Sequence, residues 1–205
     1  MKLHYNPASP YVRKVRAVAA EAGLGERIEL VPERVSPVTS NEALNSDNPI
    51  GKIPALVLDD GTTLFDSRVI CEYLDSLHDG KRMFPAEGTA RWKALRLQAL
   101  ADGILDAAVV NRYETFLRPE KLRWPEWIEG QKSKFRRGLD ALEAEADSLG
   151  DGADIGTLSV ACALGYLDFR YADENWRKSH PKLAKWFEKF SKRKSLRETM
   201  PADLR

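Results

Sequence analysis

Along the first 78 positions the apolar residues change period several times. Lys2 to Tyr5 predicts a short strand. Pro10 to Ala22 carries Val12, Val15, Val18, Ala19 and Ala22 at spacings of three and four, the buried stripe of an amphipathic helix that Gly23 and Gly25 terminate. Arg27 to Val31 alternates and predicts a second strand, and Thr39 to Asn45 one loose helical turn. Ala55 to Leu58 and Thr62 to Phe65 are apolar runs joined by Asp60-Gly61, a hairpin signal. Asp66 then opens a helix with Val69, Ile70, Tyr73, Leu74 and Leu77 on one side. The order β-α-β-α-β-β-α predicts a mixed sheet with helices on its faces.

From His78 to Gly88 the chain is rich in Gly, Pro and charge and reads as a linker. Everything beyond it has helical period. Thr89 to Phe116 predicts one long helix with Trp92, Leu95, Leu100 and Ile104 among its apolar positions. Trp124-Pro125 starts the next, its stripe running from Ile128 through Phe135, Leu139 and Leu142 to Leu149. Asp154 to Arg170 is nearly apolar in its middle, the composition of a helix at the centre of a bundle, and Pro181 to Ser191 is a fourth helix. The expected organisation is an α/β domain over 1–78, a linker over 79–88 and an all-helical domain over 89–205.

Composition narrows the function classes. The 205 residues suffice for one or two domains, and 43% hydrophobic content is enough for a core in each. A formal net charge of +1 argues against a nucleic-acid binder, which carries a basic field. No apolar run reaches membrane-spanning length and no signal peptide is recognisable, so a cytoplasmic protein is expected. Cys71 and Cys162 sit in apolar helical contexts and are expected buried, without a disulfide. His4, His78 and His180 lack metal-ligand spacing. Gly51-Lys52 lacks the rest of a phosphate-binding loop and Gly23-x-Gly25 follows a helix, so neither a metal nor a nucleotide is expected.

Candidate chemistry starts at "SPYVRKV". Ser9 before Pro10 is a good N-cap, and capping alone explains it. Asp66-Ser67 likewise suits a helix start, and such an end, with its unpaired N–H groups, also binds anions. "SPYVRKV", "NPIGKIPALVLDDGTTLFDSRVICEYLD" and "VACALGYLDFR" together resemble the cytosolic glutathione S-transferase family, in particular its bacterial members with serine at the catalytic position. The resemblance covers essentially the whole chain. It implies a thioredoxin-like domain followed by a helical bundle domain, transfer of alkyl or aryl groups to glutathione as co-substrate, a detoxification role and a homodimer.

The same resemblance implies roles for particular residues. Redox relatives of the fold carry cysteine where this chain has Ser9, so its hydroxyl would instead hold the thiolate of bound glutathione. A cis Ile53-Pro54 bond would turn the Ile53 backbone toward the cysteinyl unit. Lys52 would meet the glycyl carboxylate, with a solvated lysine as the alternative. Ser67 would take the γ-glutamyl carboxylate and Asp66 the ammonium. Asp102, four residues before Asp106, would reach a partner subunit's ligand. Tyr11, Arg112, Tyr113, Phe116 and Tyr166 would line the electrophile pocket between the domains, unless these aromatics are simply core.

At "DIGT" the family's usual Ser/Thr-x-x-Asp capping box is reversed, so Asp154 should cap while Thr157 reciprocates poorly. The basic run from Arg177 to Arg197 reads as a solvated helix face. A non-enzymatic binding protein is the rival reading, because bacterial relatives of this fold contact transcription machinery. A glutathione-dependent peroxidase or isomerase would use the same cradle.

Overall fold

The computed structural model describes residues 1–204 and divides the chain into two compact units, Met1–Ala86 with the C-terminal segment from Lys194, and Glu87–Arg193. The first is built on four strands: β1 (Lys2–Tyr5), β2 (Glu29–Pro32), β3 (Ala55–Val57) and β4 (Thr63–Leu64), in spatial order β2-β1-β3-β4. β1 runs parallel to β2, as a helical crossover requires, and antiparallel to β3. The hairpin expected at Asp60-Gly61 forms, with Gly61 at φ 87° and Thr62 N–H donating to Asp60 Oδ1 at 2.8 Å.

Helices α1 (Pro10–Glu21), α2 (Glu42–Asp47) and α3 (Ser67–Ser76) complete the expected order. α1 and α3 pack on each other, burying Val12, Val15, Val18 and Ala19 with Ile70, Cys71 and Leu74. Leu3 and Leu56, register partners on β1 and β3, are fully buried as well. His4 points to the opposite face by strand alternation, where it meets Asp47 of α2, so both faces of the sheet are covered.

Several boundaries move. The second strand begins at Glu29 because Gly25–Arg27 forms a 3-10 turn. The loose turn is shifted to Glu42–Asp47 by its cap, Asn41, whose Oδ1 accepts from Leu44 N–H at 3.1 Å. Val69 is exposed and drops out of the α3 stripe. The segment over 79–88 is no solvated spacer: Met83 and Phe84 are buried, and their N–H groups donate to the Asp75 carboxylate at 2.8 and 3.1 Å.

The C-terminal end differs most from the reading of 89–205 as one helical domain, because residues 194–204 belong with the first unit. The short helix Lys194–Arg197 packs on α1, with Arg13 Nη2 donating to Leu196 O at 3.1 Å and Ser195 Oγ to Glu21 Oε1 at 2.5 Å.

The second unit contains α4 (Gly88–Arg112), α5 (Pro125–Ala144), α6 (Ile155–Arg170), α7 (Trp176–Ser179) and α8 (Pro181–Phe190); the short C-terminal helix is α9. α6 is the buried centre, as its composition implied. The stripe of α4 is rotated from the expected one: Ala94, Leu97, Ala101, Ile104 and Leu105 are buried, while Trp92 is 69% exposed. α4 stops at Arg112, and Tyr113–Leu117 continues as a π turn. α5 ends before Leu149, at Ala144, and a 3-10 turn follows. The reversed capping box closes fully: Thr157 N–H donates to Asp154 Oδ1 at 2.8 Å and Asp154 N–H to Thr157 Oγ1 at 2.9 Å, so a hydroxyl does the reciprocal work of a carboxylate. In the basic run, Leu183, Phe187 and Phe190 turn inward, while Lys182 and Lys189 reach Asp147 and Asp151 at the surface.

α4 and α6 lie parallel, with Gly156 against Ala94 and Leu97 at one end and Tyr171 Oη donating to Ala108 O at 2.7 Å at the other. A methyl on Gly156 would sit 2.8 Å from both the Ala94 carbonyl oxygen and Leu97 Cβ. Gly156→Ala is therefore expected to lower unfolding stability by about 1–3 kcal/mol through overpacking. Chemical denaturation measures it, and an unchanged midpoint would show that the helix contact yields without strain.

Candidate active site

The strand register gathers three candidate groups. Ser9 follows the C-terminal end of β1. His4 pairs with Ala55, so Ile53-Pro54, just before the antiparallel β3, stands at that same edge. Leu64 pairs with Leu56, so β4 also ends there and hands the chain to Asp66. Segments separated by about 57 residues of sequence thus meet through backbone pairing alone.

The Ser9 loop is held by Asn6. Its Oδ1 accepts from Ala8 N–H at 3.0 Å, its Nδ2 donates to Glu33 O at 2.9 Å, and its carbonyl accepts from Ser9 N–H at 3.0 Å. Ser9 caps α1 as expected, Oγ accepting from Val12 N–H at 3.3 Å. Accepting one bond leaves its hydroxyl proton to donate, so the cap and a contact to a ligand are compatible.

The Ile53-Pro54 bond is cis. Among the described residues nothing hydrogen-bonds the Ile53 backbone, which therefore offers one donor and one acceptor at the open edge. Asn48, buried, organises the turn before it: Nδ2 donates to Lys52 O at 2.7 Å and Oδ1 accepts from Ile50 N–H at 3.1 Å. Gly51 lies at φ 64°, and a Cβ there would meet Asn45 Oδ1 at 2.7 Å. Lys52 itself is exposed.

Asp66 caps α3, Oδ1 accepting from Arg68 N–H at 2.9 Å, and the Phe65-Asp66 peptide is also cis. Asp66 is exposed while Ser67 beside it is 2% exposed, an outward carboxylate over a sheltered hydroxyl.

One supporting cluster was invisible in the sequence. His4 Nδ1 lies 2.8 Å from Glu33 Oε1 and Nε2 lies 2.8 Å from Asp47 Oδ2, while Glu33 Oε2 accepts from Asn41 Nδ2 at 2.7 Å. The cluster ties the segment that leads to Lys52 and Ile53 onto the sheet. Its members are 29 and 43 residues apart, beyond any local pattern.

In the second unit Arg112 stacks on Phe116, Cζ 3.8 Å from the ring centroid. Burial pushes the Tyr113 phenol up. Burial also pushes Tyr166 up, with Tyr171 and Tyr113 adding to it and Arg170 and Arg112 opposing. Tyr171 is pushed up to about 12, chiefly by burial. Asn111 is buried beside Tyr171 without reaching hydrogen-bond geometry. Arg112, Tyr113 and Tyr166 are thus brought together with Arg170 and Tyr171, which the sequence reading missed. Phe116 is 68% exposed, so it is not core. Tyr11 belongs to the first unit and is half-buried. Asp102 is only 2% exposed and already engaged within the chain, whereas Asp106 is exposed.

Among the described residues no helix is long and apolar enough to cross a membrane, and no group of three or more His, Cys, Asp or Glu is arranged to hold a metal ion.

Two family models match, the glutathione S-transferase N-terminal domain over residues 8–77 and its C-terminal domain over 125–189. An uncharacterised GST-like protein of Escherichia coli, YibF, is 33% identical across 98% of both chains. The chain belongs to the glutathione S-transferase family. A solved glutathione transferase family member from Pseudomonas fluorescens, with glutathione bound, is 52% identical, covers 98% of both chains and superposes with a TM-score of 0.96. A second structure from that organism, 50% identical over 98% of this chain and all of the other (TM-score 0.91), holds S-(propanoic acid)-glutathione. A stringent starvation protein A homologue of Pasteurella multocida is 36% identical over 94 residues, 46% of this chain and 42% of its own. The fold class is therefore the thioredoxin-like domain with a mostly helical second domain that defines this family.

Within this transferase-family chain the π turn is held by Glu114. Burial alone would raise its carboxyl, but hydrogen bonds from Arg118 Nε at 2.6 Å and Trp124 N–H at 3.0 Å, with the charges of Arg118 and Arg123, hold it below the ordinary value of 4.5. A carboxyl depressed by folding stabilises above its unfolded value and loses that contribution as pH falls through the folded value. Protection of the Trp124 amide from hydrogen exchange, corrected for intrinsic rate, is therefore expected to be constant above pH 4.5 and to decline below it. Glu114→Gln should remove the dependence, and a wild-type profile flat to lower pH would contradict the role given to Glu114.

Proposed function

We propose that this chain is a glutathione transferase in which Ser9 stabilises the thiolate of bound glutathione for attack on a small hydrophobic electrophile. The observation that carries the reading is the meeting of Ser9, the unpaired Ile53 backbone and Asp66-Ser67 at one sheet edge. The glutathione bound by a relative of 52% identity supports it. In this mechanism Ile53 N–H and C=O pair with the cysteinyl unit as a one-residue strand addition. The γ-glutamyl carboxylate takes the Ser67 N–H and hydroxyl at the positive end of α3, Asp66 takes the ammonium, and Lys52 the glycyl carboxylate. The sulfur then lies beside Ser9 and the α1 N-terminus.

A free thiol near pKa ~8.5 is mostly protonated at neutral pH. A donated hydrogen bond and the helix end, at about 1 kcal/mol each, lower that by about 1–2 units. In the second unit Arg112, Tyr113, Phe116 and Tyr166 are the groups assigned to the electrophile, and in the first unit Tyr11. The relative holding S-(propanoic acid)-glutathione supports a site that accommodates a substituent on sulfur. A homodimer is part of this reading, supported by Trp92 and Val69, apolar side chains that a lone chain leaves in water. So is a cytoplasmic location, supported by two cysteines that form no disulfide.

The partial likeness to a stringent starvation protein A homologue favours one alternative, a binding protein acting through a protein partner. An ultraviolet pH titration of the thiolate of bound glutathione separates the two. The transferase reading expects a thiol pKa about 1–2 units below the free value in wild type, returning by about one unit in Ser9→Ala. Tight glutathione binding with the same pKa in both proteins would leave Ser9 a helix cap. No glutathione binding, together with a stoichiometric protein partner, would select the alternative.

A further inference from the structure

Ser9 lies between two residues that reach the same remote segment. On one side, Arg13 N–H donates to Ser9 O at 3.0 Å, while its guanidinium donates through Nη2 to Leu196 O at 3.1 Å, across 183 residues of sequence. On the other side, Pro7 O accepts from Ala202 N–H at 3.4 Å. Proline has no N–H, so this carbonyl is the one hydrogen-bonding group that Pro7 offers, and it is committed to Ala202. Asn6 clamps the same loop locally, and residues 194–204 clamp it from far along the sequence. All of these contacts lie inside the first unit.

The segment is built as an element. Ser195, Leu196 and Thr199 are buried, Thr199 Oγ1 donates to Ser195 O at 2.7 Å and Glu198 N–H to Lys194 O at 3.0 Å. Ser195 Oγ fastens it to Glu21 in the last turn of α1 at 2.5 Å, so its anchors run from the end of α1 back past its start. Arg13 is a costly way to make one of them. Only 5% exposed, it leaves Nε and Nη1 without a partner among the described residues. A methionine or leucine there would cover α1 without taking a cation out of water. What the guanidinium adds over an apolar side chain is its bond to the Leu196 carbonyl.

Resting on the transferase reading, we infer that residues 194–204 are a positioning strap for the catalytic hydroxyl. Through Pro7 the strap fixes the loop before Ser9, and through Arg13 it fixes the turn after it. The two together set where Ser9 Oγ stands relative to the glutathione sulfur. That hydroxyl already accepts from Val12 N–H at 3.3 Å, so its direction toward sulfur is constrained from one side. Hydrogen bonds weaken steeply with distance and angle, and a displacement of about 1 Å is enough to lose a catalytic contact. A loop released at Pro7 would keep Ser9 as a helix cap and weaken it as a donor to the thiolate. The strap residues act through Ser9; they are positioning residues and supply no group to the sulfur.

The test is the thiol pKa of bound glutathione, titrated in the ultraviolet, in two perturbed proteins. A chain shortened after Met200 loses the donor to Pro7 with its surroundings, and Ala202→Pro loses the N–H alone. Each is expected to raise the pKa by about half a unit, a part of the shift expected of Ser9→Ala, and so to lower the thiolate fraction near neutral pH about threefold. Ala202→Gly keeps the N–H and is expected to keep the wild-type pKa. Combined with Ser9→Ala, neither perturbation should shift the pKa further, because a strap that acts through Ser9 then has nothing left to position. Ala202→Pro carries the comparison alone if the shortened chain does not fold. Lower unfolding temperatures with the wild-type pKa would make the segment a structural cover only, overturning the inference and leaving the transferase reading standing. A shift that persists in full on the Ser9→Ala background would do the same. A thiol pKa that Ser9→Ala itself leaves unchanged would overturn the transferase reading and the strap with it.

Discussion

Antiparallel pairing of β1 with β3 is the constraint on which the rest of the first unit depends. A strand that enters the sheet in the opposite direction starts where its neighbour stops, so the turn before β3 stands beside the turn after β1. β4 reverses again and adds the start of α3. Two helix N-termini and one open backbone segment then face the same rim. A one-residue slip of β3 would exchange the faces of Ala55 and Leu56, both fully buried, leaving a void where Leu56 fits and overpacking the face that holds Ala55. Core packing thus locks the register, and the register composes the site.

At that rim a single set of atoms serves stability and recognition. Ser9 and Asp66 each satisfy a backbone donor at a helix start, and each keeps capacity for a ligand. Support comes from behind: Asn6 clamps the Ser9 loop, Asn48 the turn before Ile53, and His4 with Glu33 and Asp47 the segment around α2. The proposed ligand-contacting groups are consequently few and short, while the residues that orient them lie under them.

What was legible in the sequence was what local physics controls. Short oxygen-bearing side chains before helices marked Ser9, Asp66 and Asp154 as caps, and apolar period marked α1, α3 and α6. What was not legible depends on distant partners. A four-residue helix such as α9 has no propensity signal and exists by packing on α1. The rotation of the α4 stripe follows from close approach to Gly138 and Gly156, which face Ile104 and Leu97. The reversed capping box looked weak because a hydroxyl was ranked below a carboxylate, yet the Thr157 oxygen accepts from Asp154 N–H while its proton finds a carbonyl.

The return of residues 194–204 to the first unit has a consequence for biosynthesis. Arg13 is buried on α1, and among the described residues its one acceptor is the carbonyl of Leu196. While a ribosome is still making the helical unit, that guanidinium has been translated and its acceptor has not. A buried cation without an acceptor is costly, so the nascent α/β unit must leave this face hydrated. The α/β unit is therefore completed only by a segment that is made after the whole helical unit.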